Sequence, residues 1–282
     1  MLFDIAMPLT LLLVTLVSAF LNEKAEGKLK TTLEEREFTM KDIVLLVTGM
    51  AIVVSIMVFI PQMAIMVLFL FSYSSLLFII TYIFSNKRWH VSWIPPAMFL
   101  LLYVFLRDTA IWSNYLVNIY GLVFAVLITL YMGSIFTWKT TLIFGGILTI
   151  MDIILVLVTG SMITAAHQTA SLKLPVIVQV PIIPLTFKEG QLQLMGLGLG
   201  DFFFAGLLAI QAWKRFGKKT AIMSAVGMTI SFFIFVTVLI NYGPTFFPGT
   251  VMIICGWLPV ALLGTPKNAE HPTPVPQTTS HL

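Results

Sequence analysis

Long apolar runs alternate with short polar connections along almost the whole chain. A membrane-spanning helix needs roughly 20 mostly apolar residues. A window of that length predicts nine spans, at about 3–21, 42–60, 63–85, 91–107, 111–134, 139–160, 194–213, 219–240 and 247–264. Only Pro61 and Gln62 separate the second span from the third, which predicts a tight helical hairpin. Two stretches break the pattern. Residues 22–41, NEKAEGKLKTTLEEREFTMK, mix both signs and predict a solvated loop with at most a short helix. The tail from Thr265, TPKNAEHPTPVPQTTSHL, is rich in Pro and Thr and predicts disorder over 265–282. The expected fold class is therefore an all-α polytopic membrane protein, with one nine-helix domain over 1–264.

Composition agrees with the pattern. Hydrophobic residues make up 59% of 282 and charged residues 10%, where soluble domains carry about 25% charged residues. The net charge of +4 does not point to nucleic acid as a partner, because the basic residues flank apolar runs and no RNA- or DNA-binding signature is present. The single cysteine, Cys255, excludes an internal disulfide and a Cys-rich metal site. Trp89, Trp93, Trp112, Trp138 and Trp213 fall near the predicted span ends, where interfacial residues belong, and Trp257 does not. Arg107, Lys173 and Lys188 lie on one side of the predicted topology and the other 13 of the 16 Lys and Arg residues on the opposite side. Positive charge is retained in the cytoplasm, which predicts an integral multi-pass protein with the N-terminus outside and the C-terminus cytoplasmic. The first span lacks a basic n-region and is expected to be a retained anchor.

Acids inside the spans narrow the chemistry. Asp4 is near the start of the first span and is expected to reach water, and Asp108 adjoins Arg107 at a connection. That leaves Asp152 in TIMDIILV and Asp201 in MGLGLGDFFFAG. An ionisable residue within the membrane marks a functional site by default. Asp152 lies roughly 12 Å before its span ends, and Asp201 roughly 10 Å after its span begins, at 1.5 Å per residue. The sixth and seventh spans run in opposite directions, so the two acids are expected at one depth and able to face each other. Two close carboxylates share a proton. The ionised one can take a proton from water while the protonated one donates to a peptide carbonyl, which is the chemistry of aspartic proteases.

The glycines bear on the same site. On a helical reading Gly196 and Gly200 share a face that lets another backbone approach, and Gly198 leaves room beside Asp201. Gly198-Leu199-Gly200-Asp201 resembles the GxGD motif of the presenilin and signal peptide peptidase intramembrane aspartyl proteases. The nine-span count and the aspartate on the sixth span are similar too. The resemblance implies that Asp152 and Asp201 are the catalytic pair, that the spans over about 139–264 form the catalytic half, and that no cofactor is needed. Met151 stands where the family usually has tyrosine. The family's Pro-Ala-Leu resembles Pro259, Ala261 and Leu262, interrupted here by Val260. Proline also loosens a helix on physical grounds, and freed backbone groups at membrane depth are tolerated beside a wet cavity.

Between the acids, LPVIVQVPIIPLTF is rich in β-branched residues and cut by Pro175, Pro181 and Pro184, which predicts a short extended segment between helices 6 and 7. Pro175, Val176, Ile177, Val178, Gln179 and Val180 are candidate substrate-binding residues, pairing as a strand edge with an unwound substrate. The connection is too short for the long, cleaved loop of presenilins, so activity as a single chain without auxiliary subunits is expected. The charge bias is similar to the N-out orientation of signal peptide peptidases and not to that of presenilins, and the shortness resembles microbial, including archaeal, members, which implies the plasma membrane. A homo-oligomer is compatible with the sequence. No His-Glu-x-x-His zinc motif exists, and no histidine is placed for serine chemistry. The expected partners are transmembrane-helix peptides and the lipid bilayer. The rival class is a proton- or cation-coupled transporter using the paired acids, although no second copy of the glycine–aspartate stretch marks an internal repeat.

Overall fold

The computed structural model describes residues 2–32, 37–188, 190–243 and 246–264. The predicted tail 265–282 lies outside the described residues. The fold is mostly helical: α1 Ala6–Thr32, α2 Met40–Ile56, α3 Gln62–Phe84, α4 Trp89–Ser92, α5 Ile94–Leu106, α6 Val117–Ile135, α7 Trp138–Ile153, α8 Ser161–Ser171, α9 Leu199–Phe216, α10 Lys218–Tyr242 and α11 Gly249–Leu263. Four short strands fall between α8 and α9: β1 Ile177–Pro181, β2 Phe187–Lys188, β3 Gln191–Leu192 and β4 Leu194–Gly198. Strands β1 and β4 pair antiparallel, with Ile177 opposite Gly198 and Pro181 opposite Leu194.

Among the described residues six helices are long and apolar enough to cross a membrane. They match the first, third, fourth, fifth, sixth and eighth predicted spans. The other three fall short for separate reasons. Helix α2 has 17 residues because its last turn tightens to a 3₁₀ turn ahead of Pro61. Helix α11 has 15 residues. Helix α9 carries Asp201, Lys214 and Arg215, and the segment 194–198 that was expected to begin it is strand β4. Alternating glycines at 196, 198 and 200 weaken a helix, while the β-branched run of β1 offers ladder hydrogen bonds instead. Ile177 Cγ2 would lie 3.2 Å from a Cβ at position 196, so glycine there suits the close strand pairing.

Helix α9 is the centre of the bundle. Phe202, Phe204, Leu207, Leu208 and Ile210 are buried, and it packs against α1, α6 and α10. Gly206 meets Thr129 of α6 and Ser18 of α1, where a Cβ would come within 2.6 Å of Thr129 Cγ2. Below this contact, α1 departs from expectation. Most of the residues 22–41 expected in a loop continue the helix to Thr32. Ala25 and Leu29 recur at i, i+4 and are buried against Leu76, Ile80 and Leu130. Glu26 pairs with Lys214 at 2.9 Å, so the mixed charge of the stretch serves a helix contact as well as water. Asp4 is also corrected: it is fully buried, accepts from the N–H groups of Ala6 and Met7, and accepts from Ile183 N–H at 3.1 Å. An N-cap carboxylate relieves unpaired donors at a helix start.

Helices α10 and α11 cross where Gly227 faces Gly256. A Cβ on Gly256 would lie 2.6 Å from the Gly227 carbonyl carbon and 2.7 Å from Ser231 Cβ. The obstacle is largely backbone, which cannot rotate away. Gly256→Ala is therefore expected to destabilise the fold by about 1–3 kcal/mol. Thermal unfolding in detergent micelles checks this, and an unchanged Tm contradicts it.

Candidate active site

Asp152 is the penultimate residue of α7, which continues into the π-helical turn Ile154–Val158. Asp201 is the third residue of α9, whose N-cap is Gly198 with extended backbone at φ −68° and ψ 149°. The change from strand to helix at 198–199 thus puts the acid in the first helical turn. From there its carboxylate reaches back to accept the Gly198 N–H, a cap of the kind an N3 acid makes. Gly198 was expected to share a helix face with Asp201. It instead supplies a donor from the end of a strand, and Gly196 lies in the same strand rather than on a face with Gly200.

The two acids meet over the start of α11. Thr250 donates its hydroxyl to Asp152 Oδ2 at 2.6 Å and its N–H to the same oxygen at 3.3 Å. The preceding residue, Gly249, lies against the Asp201 carboxylate, and a Cβ there would fall 2.5 Å from Cγ and 2.8 Å from Oδ2. The two acids thus bear on adjacent residues of one helix tip, Asp201 on Gly249 and Asp152 on Thr250. Each carboxylate therefore faces a helix N-terminus, where unpaired N–H groups favour negative charge.

Gly249 and Thr250 are the site residues that sequence reasoning missed. The available signal was Pro248-Gly249-Thr250, a helix-start pattern with one hydroxyl in the first turn of an apolar span. The residues singled out on that span lie elsewhere. Pro259 is nine residues beyond Thr250, about 14 Å along the helix. Pro259, Ala261 and Leu262 belong to its far end. Leu199 and Gly200 open α9, with Leu199 buried against α6.

The candidate substrate-binding strand is also rearranged. Each strand residue directs its N–H and C=O to one side of the ladder. Leu199 N–H donates to Val176, and Ile182 N–H to Gln193. By that alternation Val176, Val178 and Val180 pair with β4. Gln179, on the other edge of β1, donates its N–H to Asn118 Oδ1 at 2.8 Å. Val178 is fully buried beside Gly121 of α6. Pro175 precedes the strand and faces Gly121 with its carbonyl, and Ile177 packs across to Gly196. The outward edge is instead that of β4, where Leu194 and Gly196 turn their backbone groups away from β1 and are exposed.

The turn into β1 is held by three side chains. Tyr103 donates its hydroxyl to Leu172 O and Trp112 its ring N–H to Lys173 O, each at 2.9 Å, while Lys173 Nζ reaches Asp108 Oδ1 at 3.1 Å. Trp112, expected near a span end, is the first residue of the candidate span Trp112–Ile135 and is fully buried in the protein there. The hydrogen bond from Lys173, with the Lys173 and Arg107 charges, holds the exposed Asp108 carboxyl below its ordinary range. A depressed acid stabilises the fold above its unfolded pKa and loses that contribution as pH falls through the folded one. The Tm of the parent is therefore expected to exceed that of Asp108→Asn slightly at neutral pH and to converge with it in acid. Parallel thermal scans across pH check this, and a gap that widens in acid contradicts it.

No protein-family model matches the chain, and no curated protein matches it.

Proposed function

We propose that the protein is an intramembrane aspartyl endopeptidase resembling the presenilin and signal peptide peptidase proteases. The observation that carries this reading is the meeting of Asp152 and Asp201 over the α11 tip, three residues from the exposed edge of β4. A pair of acids alone would suit an ion path as well. An extended edge ending at the acids suits a peptide, because a main chain laid along Leu194 and Gly196 gains ladder hydrogen bonds and is led to the carboxylates.

In the reaction one carboxylate is ionised and the other protonated. The ionised acid takes a proton from water as the water oxygen attacks the peptide carbonyl carbon. The protonated acid gives its proton to the carbonyl oxygen. The resulting gem-diol collapses as the C–N bond breaks: the acid that took the water's proton gives it to the amine nitrogen, the other acid takes one from a diol hydroxyl, and a carboxylic acid and an amine remain. No bond to the enzyme forms. Thr250 and the Gly198 N–H orient the two acids, and Gly249 lets Asp201 approach α11.

The substrates in this reading are single transmembrane segments or signal peptides. A cleft of about 380 Å³ between α2 and α7, walled by Val47, Ala51, Ile52 and Ile147, opens beside Met151, the neighbour of Asp152. At that volume its mainly apolar walls suit a few side chains of such a segment, not its whole length. The three shorter helices α2, α9 and α11 complete nine spans in this proposal, with the N-terminus outside, the C-terminus cytoplasmic and activity residing in the single chain.

The deciding experiment incubates the purified protein, Asp201→Asn and Asp152→Asn with a transmembrane peptide, and measures ion flux in proteoliposomes alongside. Cleavage by the parent that persists in either variant refutes the mechanism. No cleavage, with acid-dependent flux, assigns the pair to ion transport instead.

A further inference from the structure

We propose that the corner where α9 ends and α7 and α10 begin, beside Phe20 of α1, binds the phosphate of an anionic phospholipid. Four exposed cations lie there: Lys139 in the first turn of α7, Arg215 at the end of α9, and Lys218 and Lys219 at the start of α10. Among the described residues none of the four forms an ion pair, whereas Lys214 beside them is taken by Glu26. Lys218 and Lys219 open a helix whose N-terminus is itself positive. Among the described residues no ion pair neutralises the charge of these four cations.

Two of the cations are held in place by aromatic rings. Arg215 lies over Trp138 at 5.2 Å and over Phe216 at 5.7 Å, and those rings meet edge to face at 5.0 Å. Lys218 lies over Phe20 at 4.9 Å and over Trp213 at 5.8 Å, with those rings 5.2 Å apart. Bracing of this kind removes rotamer freedom before a ligand arrives. Aromatic residues at span ends mark the headgroup level, which places the cations where lipid phosphates lie.

The surface beneath fits the rest of a lipid. Leu13, Val17 and Phe20 are exposed at i, i+4 and i+7 on α1, and Met223, Val226 and Ile230 are exposed at i, i+3 and i+7 on α10. These helices pack together, so two apolar stripes run from the basic corner toward the bilayer centre. A charged head with acyl chains below matches this surface, and a soluble anion would leave the stripes unused. The site also joins the ends of α7 and α9, the two helices that carry the acids, although its existence does not depend on their chemistry.

Native mass spectrometry of the full chain, released from mixed micelles of phosphatidylglycerol and phosphatidylcholine, tests the proposal. The parent is expected to retain phosphatidylglycerol preferentially. Arg215→Gln/Lys218→Gln is expected to retain it on the order of tenfold less, and Lys87→Gln/Arg88→Gln, which loses the same charge at another connection, to match the parent. Trp138→Leu, which removes a brace and no charge, is expected to weaken retention as well. Equal loss in both double variants reduces the effect to overall charge and overturns the site, as does no loss in either. Should Arg215→Gln/Lys218→Gln fail to fold, Lys218→Gln/Lys219→Gln, at two exposed positions, carries the same comparison.

Discussion

Asp201→Asn and Asp152→Asn are each expected to lower the cleavage rate of a transmembrane peptide by on the order of 10³-fold or more, the range lost when a general acid or base is removed. The size follows from the division of labour. One acid must accept a proton from water while the other donates one to the carbonyl, and an amide does neither. Asparagine keeps the shape of the side chain. Its carbonyl oxygen can still accept from Thr250 at position 152 or from the Gly198 N–H at position 201. The fold is therefore expected to persist, and an unchanged Tm in the same preparation separates lost chemistry from lost structure. The double variant is expected to be no slower than either single one, because the pair acts as a unit. A single variant retaining activity within tenfold of the parent would remove acid–base hydrolysis from consideration.

Gly249→Val is expected to reduce kcat by about 100-fold, the scale on which an ångström of misplacement acts, and to lower Tm as well, because the buried position has no room for the side chain. Gly249 is the first residue of a right-handed helix, so a side chain there adds no backbone strain of its own. What it meets is the Asp201 carboxylate, 2.5 Å from an added Cβ at Cγ. Asp201 cannot retreat without giving up the Gly198 N–H. Gly249→Ala is expected to fall between valine and the parent. Gly146→Ala on α7 is the control, since nothing lies within 4 Å of its Cβ position. Turnover that is equal in Gly249→Val and Gly146→Ala would mean that the α11 tip does not position the acid.

The helical pattern and the candidate acids were legible because each rests on a local signal. Apolar runs near span length and carboxylates within them need no knowledge of neighbours. What could not be read depended on partners far along the chain. The segment 194–198 is apolar enough for a span, and only the presence of β1 as a partner makes it a strand. Residues 22–41 look solvated because of their charge, yet Ala25 and Leu29 find α3 and α6 beside them, and Glu26 finds Lys214, 188 positions on. Pro259 draws notice through a motif-like string, while Thr250 stands in no motif. Its role appears only when α7 is brought to the same point.

Because one helical tip touches both carboxylates, separating α7 from α9 must either break a contact with α11 or move that helix with one of them. That helix holds the chain's single cysteine, Cys255, on its exposed face, one residue from the Gly227–Gly256 crossing. A lipid-soluble fluorophore attached to that native thiol would report the opening and closing of the acid pair from some distance, with no engineered label and no perturbation of the groups that react.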